Sequence, residues 1–153
     1  MAKKADVNAF CGVAQALMRM GDTWTLLIVR DAFFGMKRFS EFEKSLGISK
    51  NILAARLRKL VDFDIFERRR LEEPGQRYEY TLTKKGRDLW VVLTAMRLWS
   101  DKWVFGEENA PLVAIDTATG KRVAKVIAAD ADGNPVDPAR LRWRLGAPRA
   151  NEE

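Results

Sequence analysis

The chain reads as a mainly helical α+β fold: four short helices, a two-stranded β-hairpin, a longer helix and a small β-rich appendage. Three observations predict it. Apolar residues recur at i, i+3, i+4, i+7 spacing before and after a central break, the period of amphipathic helices. Between residues 65 and 82 that period gives way to two β-leaning runs around Glu73-Pro74-Gly75-Gln76, a turn by its Pro-Gly pair. Beyond Pro111 the helical period is lost, and β-leaning segments alternate with glycine turns.

The first helix is expected from about Asp6 or Cys11 to Met20, with Phe10, Val13, Ala14 and Leu17 on one face. Gly21 ends it, and Asp22 is a natural N-cap for a second helix at about 23–34, carrying Trp24, Leu27, Ile28 and Phe34 and stopping at Gly35. Ser40-Glu41-Phe42-Glu43 has the form of a capping box, in which the Ser hydroxyl and the Glu43 carboxylate satisfy free amides. It predicts a third helix ending at Gly47. Ser49 caps a fourth, running to about Phe63, with Leu53, Leu57, Leu60 and Val61 in one apolar stripe. Its opposite face carries Asn51, Ala55 and Arg58, with Lys50 at the entry and Ala54 and Lys59 on the flanks; small alanines let that face approach another surface closely.

Ile65–Arg68 and Arg77–Leu82 are the expected hairpin strands, with Arg68, Arg69, Arg70 and Arg77 projecting from them. Thr83 is placed to cap a final helix at about 84–104. Leu89, Val92, Leu93, Met96, Trp99 and Trp103 give that helix more apolar surface than one contact needs, which predicts a second buried contact, with the same helix of another copy or, as the alternative, with residues 105–153 of the same chain. In the tail, Ala118-Thr119-Gly120-Lys121-Arg122-Val123 and Ala131-Asp132-Gly133-Asn134-Pro135-Val136 share an A-x-G-x-x-V frame, predicting two tight turns between the segments Leu112–Ile115, Val123–Ile127 and Leu141–Leu145. A zinc ribbon would carry Cys pairs at such knuckles; this one has none, so the extension is read as zinc-less and no metal is expected there. The expected division is 6–105 for the main domain, 106–147 for the extension and 148–153 for a disordered tail.

Composition narrows the function classes. The chain has no histidine, one cysteine and no glycine-rich phosphate loop, which leaves little for acid–base or nucleophilic catalysis, so no catalytic residue or cofactor is assigned. No apolar run is long enough to span a bilayer, and Met1-Ala2-Lys3-Lys4 leads into polar residues with no signal-peptide core, so a cytoplasmic protein without membrane contact is expected. Residues 1–104 hold 20 Lys/Arg against 13 Asp/Glu, whereas residues 105–153 hold 7 against 8. The positive field, which attracts polyanions, thus belongs to the part holding the fourth helix and the hairpin.

A helix with a closely approachable face, followed by an arginine-rich hairpin, is the plan of a winged helix-turn-helix. The linked motifs are more specific still: Cys11 followed by G-V-A-Q-A-L, then G-D-T-W-T-L-L-I-V-R-D, R-F-S-E-F, G-I-S-K-N-I-L-A-A-R-L-R-K-L, and R-Y-E-Y-T-L-T-K-K-G-R. Over about residues 11–103 the chain resembles the HxlR-type transcriptional regulators, a branch of the MarR-like winged-helix proteins. The resemblance implies a homodimer that binds an imperfect inverted repeat in double-stranded DNA, usually as a repressor, without enzymatic activity. Two positions depart from the family pattern: Gly12 stands where Pro follows the N-terminal Cys, and Asp64 where Gly precedes the first wing strand. Asp tolerates a left-handed backbone better than most residues, so that turn is expected to survive.

On this reading Lys50 and Asn51 reach base edges in the major groove, Ser49 presents helix amides to a phosphate, and Arg56 and Arg58 clamp phosphates, with a carboxylate of the fold as the other partner open to Arg56. Arg68, Gln76 and Arg77 lie on the wing at the DNA backbone or minor groove. Leu89, Val92, Leu93, Met96, Trp99 and Trp103 form the dimer interface. Some family members sense oxidants or electrophiles through the matching Cys, which makes Cys11 a candidate switch, the alternative being an inert, small apolar residue. A small-molecule effector between the dimer helices, near Trp90, Trp99 or Met96, is a rival input, and a nucleic-acid-binding scaffold is a rival function.

Overall fold

The computed structural model describes residues 11–72 and 78–142. Helices α1 (Gly12–Met20), α2 (Thr23–Phe33), α3 (Phe39–Leu46) and α4 (Lys50–Asp62) precede strands β1 (Phe66–Arg70) and β2 (Tyr78–Leu82), and then come α5 (Lys84–Arg87) and α6 (Trp90–Ser100). This is a mainly helical body with a two-stranded antiparallel wing, as the periodicity predicts. The first-helix residues before Cys11, the Pro-Gly tip with Gln76 and Arg77, and the expected disordered tail at 148–153 lie outside the described residues.

Local chemistry sets most of the boundaries. Asp22 accepts from the Thr25 amide (2.9 Å) and hydroxyl (2.5 Å), starting α2. Gly21 precedes it at φ −75°, so no left-handed backbone calls for glycine there; a Cβ would meet the Leu17 carbonyl oxygen at 2.3 Å. Gly47 ends α3 at φ +62°, and Asp64 does adopt the left-handed conformation, at φ +56°.

The capping of α3 differs from expectation. The helix begins at Phe39, and Glu41, not Glu43, takes the Lys37 and Arg38 amides at 2.8 and 2.9 Å. These two amides hold the Glu41 carboxyl below its ordinary value. A start two residues earlier, with Arg38 in place of Ser40 at the cap, puts Glu41 at the third helical position, which is where a carboxylate can fold back onto the cap.

Ile28, Val29, Phe42, Ile48, Leu53, Leu57, Leu60, Ile65, Phe66 and Tyr80 form the core, with the Phe42 and Phe66 ring centroids 6.2 Å apart. It sits where α2, α3 and α4 meet the base of the wing. Burying a side chain the size of Phe42 contributes about 1.5–3 kcal/mol. The wing register pairs Phe66 with Leu82, Arg68 with Tyr80 and Arg70 with Tyr78. The other edge of β2 is also engaged, by an Arg38–Glu79 bridge and a 2.7 Å bond from the Tyr80 amide to the Lys37 carbonyl. That segment, between α2 and α3, has no strand signal of its own.

The expected single helix from 84 to 104 is three pieces. Thr83 caps α5, accepting from the Gly86 amide at 3.0 Å while its hydroxyl donates to the Asp64 carbonyl at 2.7 Å. Gly86 lies so close to β1 that a Cβ would stand 2.2 Å from the Ile65 carbonyl oxygen. The chain then tightens, Leu89 donating to Gly86, before α6 begins, and a π-helical turn over Asp101–Phe105 follows it.

The extension carries both predicted knuckles. Asp116 to Lys121 and Asp130 to Asn134 each close on themselves through backbone bonds, with Gly120 and Gly133 at positive φ. The Asp116 carboxyl accepts the Thr119 hydroxyl and the Ala118 amide, and Asp130 accepts the Asp132 and Asn134 amides. Among the described residues each knuckle closes with one isolated bridge, Ile115–Arg122 and Ala129–Pro135, so the β-leaning segments yield two bridged turns and no continuous strand; part of the last expected segment, Leu141–Leu145, is undescribed.

Candidate nucleic-acid interface

The turn from α3 to α4 is short: left-handed Gly47, buried Ile48 and then Ser49, whose hydroxyl accepts the Ile52 amide at 3.4 Å. Burial of Leu53, Leu57 and Leu60 fixes the rotation of α4 and turns its other face outward. Lys50, Asn51, Ile52, Ala54, Ala55 and Arg58 are all exposed on that side. The side chains of Lys50, Asn51 and Arg58 make no hydrogen bond or ion pair among the described residues. Ile52, which periodicity does not single out, is 41% exposed there; only the observed rotation of the helix reveals it.

Arg56 belongs elsewhere. Its Nε lies 3.1 Å from the Asp22 carboxylate, which also has Lys59 at 4.0 Å. That Nε–H has no hydrogen-bond acceptor, so the contact is a Coulombic pairing and not a directed bond. Burial pushes the Asp22 carboxyl up, but the Thr25 hydroxyl and amide, then Arg56 and Lys59, outweigh it and hold the group below its ordinary value. Of the two partners the sequence leaves open to Arg56, the fold supplies the carboxylate.

On the wing, Arg68 stacks over the Tyr78 ring at 4.4 Å, on the face that Phe66 and Tyr80 carry into the core. Arg69 and Arg70 are exposed and without hydrogen bonds or ion pairs among the described residues. Alternation along the strand makes all three arginines visible in sequence, but it does not show which one an aromatic ring takes up.

The expected dimer residues divide. Leu89 and Leu93 pack against the molecule's own core. Val92, Met96, Trp99 and Trp103 remain exposed, the last two at 63% and 67%, and Val13, Leu17 and Met18 of α1 are exposed as well. Cys11 is half-buried at the N-cap of α1, its Sγ accepting the Ala14 amide at 3.5 Å. The three aromatic and thioether positions considered for an effector do not share one cavity: Trp90 lines a cleft against α2, and Trp99 a different one beside Arg122.

Among the described residues there is no group of three or more His, Cys, Asp or Glu side chains able to hold a metal ion, and no helix is long and apolar enough to cross a membrane.

Comparison with known proteins agrees with this architecture. Over 100 residues the chain is 40% identical to the HTH-type transcriptional regulator MT3179 of Mycobacterium tuberculosis, a match covering 65% of this chain and 63% of that relative's length. The crystal structure of PA1607, described as a candidate transcription factor, is 40% identical, covers 94% of this chain and 98% of its own, and superposes with a TM-score of 0.79. The reduced form of the transcriptional regulator YodB from Bacillus subtilis is 35% identical with a TM-score of 0.54, covering 61% of this chain and 94% of its own. Residues 19–108 match the HxlR-like helix-turn-helix model, and that span holds the turn, α4 and the wing together. The chain therefore belongs to the HxlR-like helix-turn-helix family, whose members are transcriptional regulators and not enzymes.

Proposed function

We propose that this protein is a dimeric, cytoplasmic repressor that binds an imperfect inverted repeat in duplex DNA. One observation carries the reading: the outward side of α4 is exposed, small at Ala54 and Ala55, and lined by uncommitted Lys50, Asn51 and Arg58, while its other side is locked into the core. Lys50 and Asn51 stand at the helix start, where a recognition helix meets base edges; Asn suits adenine N6 and N7, and Lys suits guanine O6 or N7. Ile52 supplies apolar contact for a thymine methyl. Ser49 ends the turn, leaving first-turn amides free for a phosphate. Arg58 on the helix and one of Arg69 and Arg70, which point to opposite faces of β1, take further phosphates, and Gln76 and Arg77, outside the described residues, are expected to add to them.

The apolar side chains exposed on α1 and α6 supply the two-fold contact that sets two recognition helices about one duplex turn apart. Selection of bound fragments from the source genome is expected to recover sites with two-fold symmetry. Lys50→Ala and Asn51→Ala should each lose about 1–3 kcal/mol of operator affinity and blur base preference. Unchanged affinity in both would remove α4 from the groove.

A redox input is the second reading. Cys11 is half-buried at a helix N-cap, and the similar regulator YodB has been solved both reduced and diamide-treated.

A further inference from the structure

The extension has no core of its own. Among the described residues between 106 and 142 no side chain is buried, although Ile115, Val126 and Ile127 lie there and Ile127 is 61% exposed. Ordering a segment costs conformational entropy that buried apolar surface has to offset, so these side chains call for cover from outside the chain.

The backbone shows where that cover fits. Residues 123–128 run without helix, turn or bend between the two knuckles, and an isolated bridge stands at each end of the run. In such a run successive residues turn their amides and carbonyls to opposite edges. One edge is taken at Val123, whose amide donates to the Ala114 carbonyl at 2.8 Å and whose carbonyl accepts from Arg97 at 3.1 Å. The other edge is taken at Ala128, whose carbonyl accepts the Val136 amide at 2.9 Å. Arg122, Ala124 and Val126 face this second edge ahead of Ala128. Among the described residues no hydrogen bond involves the backbone amide or carbonyl of any of the three. A straight, exposed edge with open groups is a template for another strand.

We propose that residues 122–126 pair antiparallel with the same residues of a second copy, with Ala124 on the two-fold axis. The axis has to pass a residue whose groups face the open edge, which leaves three places. At Val126 the partner strand would run into the edge already held by Val136, and at Arg122 two guanidinium groups would stand opposite each other. At Ala124 no like charges meet: Arg122 lies opposite the partner's Val126, Lys125 opposite the partner's Val123, and the small Ala124 opposite itself. A second copy is the fitting occupant because this run and α6 are the two banks of one groove. Leu98, Trp99 and Lys102 line one bank, and the other runs from Arg122 to Ile127. A partner set against exposed Trp99 therefore meets the open edge as well. The pairing rests on the two-fold contact proposed above and extends it beyond the family-matched residues 19–108.

The test is amide hydrogen exchange on the full chain, followed by NMR without DNA, above and below the concentration at which sedimentation shows it to dissociate. The amides of Arg122, Ala124 and Val126 are expected to exchange about a hundredfold more slowly than those of Lys125 and Ile127, and to lose that protection on dilution. Ala124→Pro, which removes the amide on the axis, should weaken self-association about tenfold relative to Lys125→Pro, whose lost amide faces the other edge. Equal exchange of all five amides in a chain that is a dimer overturns the strand pairing and leaves the α1 and α6 contact standing. A chain that is monomeric throughout removes both. Protection that survives dilution to the monomer overturns the pairing too, as does equal self-association of the two proline variants.

Discussion

Arg56 and Arg58 stand two positions apart on one helix and are assigned opposite work, so replacing each by alanine is a sharp test. Arg56 pairs with Asp22 at 3.1 Å, the two side chains being 34% and 27% exposed, and this contact ties α4 to the start of α2. A partly exposed ion pair is worth about 0.5–1 kcal/mol. Arg56→Ala should therefore lower Tm by roughly 2–5 °C at neutral pH. The loss should depend on pH with a definite sign. The Asp22 carboxyl titrates below its ordinary value in the folded protein, so its contribution is complete above the unfolded value, about 3.9, and disappears as pH falls through the lower folded value. The Tm difference between wild type and Arg56→Ala should accordingly be constant from neutral pH down to about 5 and narrow below 4. Arg58 is exposed without an ion pair, so Arg58→Ala should leave Tm unchanged and reduce the salt dependence of operator binding by about one ion. Thermal melts followed by circular dichroism give the first readout, and binding isotherms at several salt concentrations give the second. If Arg56→Ala melted like wild type and flattened the salt slope, the pairing with Asp22 would not be what holds that side chain, and the division between the two arginines would be refuted.

Three further outcomes follow. Gly86→Ala should destabilise by about 1–3 kcal/mol in urea unfolding, because the new methyl meets the Ile65 carbonyl at 2.2 Å and backbone cannot retreat cheaply; a neutral result would mean α5 is not seated on β1. Trp99→Glu on the exposed side of α6 should leave the monomer's stability intact and weaken self-association by about tenfold or more in light scattering, and an unchanged mass would place the two-fold contact elsewhere. Diamide should lower the operator affinity of wild type but not of Cys11→Ser; equal responses from the two proteins would make Cys11 a spectator.

What the chain shows without its fold is what short-range chemistry writes into neighbouring residues. The caps Asp22, Ser49 and Thr83 are legible because a side-chain oxygen can only reach amides two or three residues on. The stripe of Leu53, Leu57 and Leu60 is legible because a helix has one period, and the turns at Gly120 and Gly133 because glycine tolerates positive φ. Even the capping of α3 is displaced by only two residues, Glu41 serving where Glu43 was expected, since both carboxylates lie within reach of some start. The dominant architecture, helices followed by a wing and an apolar C-terminal helix, follows from these local signals.

Tertiary structure alone decided what depends on residues far apart in the chain. Arg56 meets Asp22 across 34 positions, and Arg97 meets the Val123 carbonyl across 26, so neither pairing leaves a mark on local sequence. The split of the α6 stripe, with Leu89 and Leu93 inward and Trp99 and Trp103 bare, depends on the angle at which that helix lies on the core. The bridge from Arg38 to β2 depends on where the α2–α3 connection passes. A charge or an apolar side chain has no preferred partner until packing brings one within a few ångströms. Type and spacing can thus list the groups available for binding, but only the fold shows which of them are still free.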